Sequence, residues 1–131
     1  MRPKGDCFVA NAKYILNNFV FGKEKFTYKD IFLCHGYVVG SKLYPSVKNK
    51  VFVHAWVEIG EIFLDFSNNN QIAMKRSTVY ESGRILLNTI IRYTPKKVAE
   101  FIKKYEHYGP WDDSFKIEFM TVDKAKHLGL K

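Results

Sequence analysis

The sequence predicts an α+β fold in one domain, 1–131, with an N-terminal helix packed on an antiparallel sheet. Three observations carry that prediction. From Asp6 to Phe21 the apolar residues Phe8, Ala12, Ile15, Leu16 and Phe19 recur at three and four positions, the period of an amphipathic helix. Val51–Ile59 and Glu61–Phe66 alternate faces and join at Ile59-Gly60, the pattern of a β-hairpin. Thr94-Pro95 then opens a second helical pattern, with Thr as cap and Pro at the first helical position.

In chain order, Asp6 is placed to accept bonds from the orphan amides of the first turn, and Gly22 to stop the helix. After the loop Gly22-Lys23-Glu24-Lys25, the β-branched stretch Ile31 to Val39 reads as a strand ended by Gly40. Ser41 to Lys50, containing Pro45, is a polar loop. With Ile59-Gly60 as a tight turn, position 54 pairs with 65, 56 with 63 and 58 with 61. His54 then lies opposite Asp65 on one face, at a Cβ separation of about 5 Å. Ser67-Asn68-Asn69-Asn70-Gln71 is a turn that ends the hairpin. Arg84 to Tyr93 reads as a further strand, and Val98, Phe101, Ile102 and Tyr105 form the buried stripe of the helix opened by Thr94. Gly109-Pro110 breaks the chain. Phe115 to Met120 is expected as a last strand and Thr121 to Leu128 as a short terminal helix.

At 131 residues and 47% hydrophobic, the chain can bury a core without staples. No run of about 18 uncharged apolar residues exists, so no membrane span is expected. Met1 to Asp6 lacks the apolar core of a signal peptide, and two cysteines make no disulfide framework. The expected compartment is the cytoplasm, with both thiols free. A net charge of +8 favours acidic partners, whether nucleic acid or an acidic protein. The basic residues are spread in pairs such as Lys48/Lys50, Lys75/Arg76 and Lys96/Lys97, which read as solvated faces.

The chemistry lies in the chain order Cys7, His54, Asp65. A thiol in the first turn of a helix is favoured as thiolate by the positive helix end, and the thiolate is the nucleophile. An imidazole can take the thiol proton and deliver it to a leaving amine, while a carboxylate on its other nitrogen fixes the tautomer. Cys7 is therefore the candidate nucleophile, His54 the base and acid, and Asp65 the orienting group. Trp56 shares the face expected for His54 and Asp65, and Asn11 lies one helical turn after Cys7. These two are the candidate substrate-binding residues, against plain core packing for Trp56 and a plain polar helix position for Asn11. Cys34 and His35, adjacent on a strand, point to opposite faces and do not cooperate. A zinc set of Cys7, Cys34, His35 and His54 lacks any short paired ligand spacing, so neither metal nor cofactor is expected.

A helix-borne Cys7, a strand reading His54-Ala55-Trp56-Val57-Glu58 and a neighbouring strand with Asp65 resemble the transglutaminase-like branch of the papain-like cysteine protease superfamily. The resemblance covers residues 5 to 70. It implies a papain-like core and acyl transfer on a protein, peptide or other amide substrate through Cys7, His54 and Asp65. The chain departs from the family in having Asp65-Phe66 where Asp-Pro is common. A papain-type oxyanion glutamine would fall at Met1, which leaves the Cys7 amide as the oxyanion donor to propose. Hydrolysis and transamidation share every step up to the final acceptor. The rival reading is a non-catalytic basic module on the same fold, binding nucleic acid or an acidic protein. Eight tyrosines suit stacking on single strands, although no nucleic-acid-binding motif is present. A third reading keeps the triad only as structure, in an inhibitor or assembly protein.

Overall fold

The computed structural model describes residues 6–21, 30–40, 50–67 and 71–131. Within them the protein combines helices with an antiparallel sheet, as the sequence predicts. Helix α1 spans Asp6–Ile15 and passes into one wider, π-type turn, Leu16–Val20. Cys7, Phe8, Asn11, Ala12 and Ile15 form its buried face, the stripe that the three-and-four periodicity marks. The expected stop at Gly22, the loop to Lys25, the Ser41 loop up to Asn49, and Asn68 to Asn70 of the expected turn lie outside the described residues.

Strand β1 is Ile31–Val39 and β2 is Lys50–Ile59, paired along their whole length from Ile31 opposite Ile59 to Val39 opposite Val51. Strands β3 (Ile62–Asp65), β4 (Ile72–Lys75) and β5 (Ile91–Tyr93) complete the order β4-β3-β2-β1-β5, and β6 (Phe119–Thr121) pairs with the start of β2. Alternation divides β2 between two layers. Val51, Val53, Ala55 and Val57 pack under α1, α3 (Pro95–Tyr105) and α4 (Val122–His127), together with Phe8, Ala12, Ile15, Val98 and Ala125. Trp56 faces the other way, into a cluster with Cys34, Val38, Phe63 and Ile85 that α2 (Arg76–Glu81) covers through Val79 and Tyr80. Burying each of Ile15, Val57 and Val98 completely contributes about 1.5–3 kcal/mol. Gly36, opposite His54, has no room for a side chain, because a Cβ there would stand 2.9 Å from the Trp56 ring.

Several expectations need correction. The hairpin turn is Gly60-Glu61, not Ile59-Gly60, and the observed pairs are Val57 with Leu64, Glu58 with Phe63 and Ile59 with Ile62. Gly60 takes φ 56°, the left-handed conformation that glycine adopts without steric cost, and so sets the turn one residue later. The register therefore moves by two, which keeps every side chain on its expected face but makes His54 diagonal to Asp65, not opposite it. Arg84 to Tyr93 is no continuous strand. After an Ile85 bridge to Val38, a short 3-10 turn at Leu87–Thr89 intervenes, and the Thr89 hydroxyl accepts the Tyr37 amide at 2.9 Å where a strand carbonyl would have served.

Phe115 belongs to another 3-10 turn, capped by Asp112 accepting from the Ser114 amide, so the last strand starts only at Phe119. The cap read at Thr94 is present, its hydroxyl accepting from the Lys97 amide, and Thr121 caps the terminal helix in the same way by accepting from the Lys124 amide. Val98 is fully buried as expected, whereas Tyr105, at the end of α3, is exposed. Among the described residues, no helix is long and apolar enough to cross a membrane.

Candidate active site

Among the described residues, the far edge of β2 has strand partners at two ends and none between them. β3 pairs with Val57 to Ile59 and β6 with Lys50 to Phe52. In the interval, α1 supplies what a strand would: the Asn11 side-chain amide lies 3.1 Å from the Ala55 carbonyl. The same Nδ2 reaches the Cys7 carbonyl at 2.8 Å and Asp65 Oδ1 at 3.1 Å, and Asn11 Oδ1 accepts the Phe66 amide at 3.0 Å. Asn11 is thus a fully buried bracket joining the Cys7 helix turn, strand β2 and the end of β3.

By alternation His54 belongs to the Trp56 layer, and its ring stacks on the indole at 6.3 Å with 20° between planes. Cys7 belongs to the α1 layer. The open interval is what lets the imidazole meet the thiol past the sheet edge. His54 Nε2 donates to Asp65 Oδ2 at 2.8 Å, since a carboxylate can only accept. With Nε2 taken by Asp65, Nδ1 is the ring nitrogen left for Cys7, the neighbour that does most to raise His54. Asp65 Oδ1 also accepts from the Ser67 amide at 2.9 Å, closing an Asx turn with the same carboxylate that holds His54.

Burial works against a charged His54, but the negative charge of Cys7 and hydrogen bonds to Asp65 and Cys7 outweigh it and hold the imidazolium above its usual range. Burial would likewise raise Asp65. The hydrogen bond and charge of His54, followed by the Ser67 amide and Asn11, instead hold it below the usual carboxylate value. The side chain of His54 keeps 20% of its surface in solvent, which gives a reactant access, while Asp65 is shut in behind it.

Trp56 and Asn11, the expected substrate-binding residues, are both completely buried and offer substrate no surface. Their roles are positional: Trp56 backs the His54 ring and Asn11 braces the turn carrying Cys7. Cys34 and His35 do lie on opposite faces of β1. Cys34 belongs to the Trp56 layer, where burial, followed by the charge of Glu58, raises its thiol well above the ordinary value. His35 sits under α1 in a cage of Phe8, Tyr93, Trp111 and Phe115, with neither ring nitrogen hydrogen-bonded. Burial and then the charge of His54 push it down to about 3. Among the described residues, no group of three or more His, Cys, Asp or Glu side chains is placed to hold a metal ion.

The sequence reading missed a second polar cluster. Glu58, fully buried, accepts from Trp56 Nε1 at 3.0 Å, from Arg92 Nε at 3.1 Å and from the Tyr80 hydroxyl. Arg76 stands 3.7 Å from it and also donates to the Gly60 carbonyl and Glu61, so it is no free member of a solvated pair with Lys75. A glutamate between Val57 and Ile59 was the available signal, because a carboxylate inside an apolar strand needs donors from elsewhere.

No protein-family model, curated protein or solved structure matches this chain.

Proposed function

We propose that the protein is a cysteine-nucleophile acyl-transfer enzyme with a transglutaminase-like core, acting on an amide or related acyl bond of a protein or peptide. The observation that carries the reading is the edge interval of β2. There a first-turn thiol and a buried carboxylate both act on one imidazole, His54 being hydrogen-bonded to Asp65, with Asn11 bracing both ends. Such a line has no packing purpose that apolar residues would not serve at lower desolvation cost. It suits proton transfer, since its central imidazole is held above its usual range and so can carry the proton that the thiol gives up.

His54 takes the Cys7 proton, and Sγ attacks the acyl carbon as the carbonyl π electrons move to oxygen. The Cys7 backbone amide, at the start of α1, is the donor offered to that oxyanion. Collapse of the adduct breaks the bond to the leaving nitrogen, which departs with the proton held by His54. Asp65 stabilises the imidazolium throughout and keeps Nδ1 directed at sulfur. Water or an amine then attacks the thioester, losing its proton to His54, and the thiol is restored.

Acetylation by an activated ester tests the reading. Intact-protein mass spectrometry after a short exposure to p-nitrophenyl acetate should show one acetyl group, mapped to Cys7 and absent from His54→Ala. Acetylation confined to surface lysines, with Cys7 unmodified, would remove the nucleophile.

A further inference from the structure

Along α1 runs a groove of about 330 Å³ whose lining includes Asp6, Val9, Ala10, Lys13, Tyr14 and Phe66. Val9, Ala10, Tyr14 and Phe66 give it an apolar part, and Asp6, Lys13 and Asn17 a polar one. Phe66 and Tyr14 stack at 4.1 Å with 20° between rings, and Val9 lies open to solvent at 36% exposure. Two of its members are chain neighbours of the triad, Asp6 of Cys7 and Phe66 of Asp65. At 100° per residue, Cys7 lies on the border between the buried stripe of Phe8, Asn11, Ala12 and Ile15 and the groove stripe of Asp6, Ala10, Lys13 and Tyr14.

The groove wall is fixed by the same side chain that frames the triad. Asn11 Oδ1 holds the Phe66 amide while Asn11 Nδ2 holds the Cys7 carbonyl and Asp65. A side chain seated against Phe66 is therefore held at a set distance from Sγ, the condition for converting binding into orientation. The other flank of His54 is built differently, from Phe52 and Phe119, with ring centroids 6.2 Å from His54 to Phe52 and 5.9 Å between the two phenylalanines. Because His54 delivers its proton to the leaving nitrogen, the leaving half of the substrate lies toward this flank. The acyl half is left with the α1 side.

We propose that this groove selects the acyl half of the substrate, and that it takes a leucine- or phenylalanine-sized apolar side chain carried within the residues next to the bond that Cys7 attacks. The inference rests on Cys7 being the nucleophile, as proposed above. Substrates with only glycine or acidic residues there are disfavoured, since they leave the Tyr14-Phe66 floor wet.

Dipeptidyl vinyl sulfones, which alkylate Cys7 without turnover, test it, with leucine, phenylalanine, glycine or aspartate varied at each position in turn. Iodoacetamide, too small to use the groove, reports the nucleophile by itself. The expected result is a roughly ten- to hundredfold faster reaction for leucine or phenylalanine than for glycine at one position or the other. Val9→Trp, filling the groove, and Val9→Asp, charging it, should each erase that preference while leaving the iodoacetamide rate within about twofold. Both changes are at an exposed helix position, so folding is retained. Fast iodoacetamide labelling of Cys7 with no side-chain preference, or a preference that survives both Val9 variants, would overturn the groove and leave the nucleophile standing. Labelling of Cys7 no faster than that of Cys34 would overturn the nucleophile and the groove together.

Discussion

Two buried carboxylates, Asp65 and Glu58, face the same side of the sheet with Trp56 between them, and they are treated in opposite ways. The indole of Trp56 donates to Glu58 and stacks its ring on His54, so it touches both clusters. The other partners of Glu58 are two guanidinium groups and a phenol, none of which changes charge near neutral pH. Its cluster is a static clamp holding α2 and β5 to β2. Asp65 has a histidine as its main partner, and that histidine meets a thiol at the open edge of the strand. A buried carboxylate is thus no sign of chemistry by itself. What separates the two sites is a partner able to exchange a proton and a break in the strand pairing that lets a reactant reach it.

The contrast breaks first if the thiols prove interchangeable. Cys7→Ala should abolish hydrolysis of an activated ester, and His54→Ala should lower it about 10²- to 10⁴-fold, the usual scale for a positioned base. Cys34→Ala, in the clamp layer, should leave the rate within about twofold. Stopped-flow assays on the purified variants distinguish these outcomes, and an equal loss from Cys34→Ala would erase the distinction between the layers.

Removal of the clamp should appear in stability and not in chemistry. Glu58→Ala leaves Arg92, Arg76, Tyr80 and Trp56 Nε1 without their shared acceptor, a loss on the order of 3–5 kcal/mol in urea unfolding. The folded fraction should still react normally at Cys7. Asp65→Asn should do the reverse, slowing the ester reaction by at least about tenfold while a neutral amide keeps most of the local bonds. A collapse of the fold in Asp65→Asn with unchanged chemistry per folded molecule would make Asp65 a second clamp.

The smallest effect is a matter of pH. His54 is held above its ordinary 6.5, so its contribution to stability is complete below that value and is lost as pH rises through the folded value. Asp65, held below 3.8, contributes above that value and loses its contribution as pH falls through its own folded value. His35 is pushed from 6.5 down to about 3, so across that window the unfolded chain binds a proton that the folded chain refuses. Stability then falls with acid by up to about 1.4 kcal/mol per pH unit. His35→Phe should flatten unfolding free energies between pH 6 and 4, and an unchanged slope would mean that the ring has a partner.

Much of this arrangement was legible along the chain because it depends on local pattern. Periodicity marked α1, Thr94-Pro95 marked the start of α3, and the strand alternation of β2 placed His54 and Trp56 on one face. The face of Asp65 survived a register error because the shift was by two and not by one. What the sequence could not supply was long-range pairing. The gap among the described strand partners of β2 arises because β3 pairs only with Val57 to Ile59 while β6, more than fifty residues later in the chain, pairs with Lys50 to Phe52 and its neighbour Glu118 reaches only the Val53 amide. The clamp of Glu58 likewise draws on Arg76, Tyr80 and Arg92 from three later elements. The four-residue, wholly exposed β4 has too little apolar pattern to announce itself.

The central claim is that His54, aligned by Asp65, makes Cys7 reactive. The most direct measurement is the second-order rate constant of Cys7 with iodoacetamide at pH 7, mapped by mass spectrometry, in the wild-type protein and in His54→Asn. The account predicts a fall of at least about tenfold in the folded variant, with no change at Cys34. Equal Cys7 rates in the two proteins would contradict it.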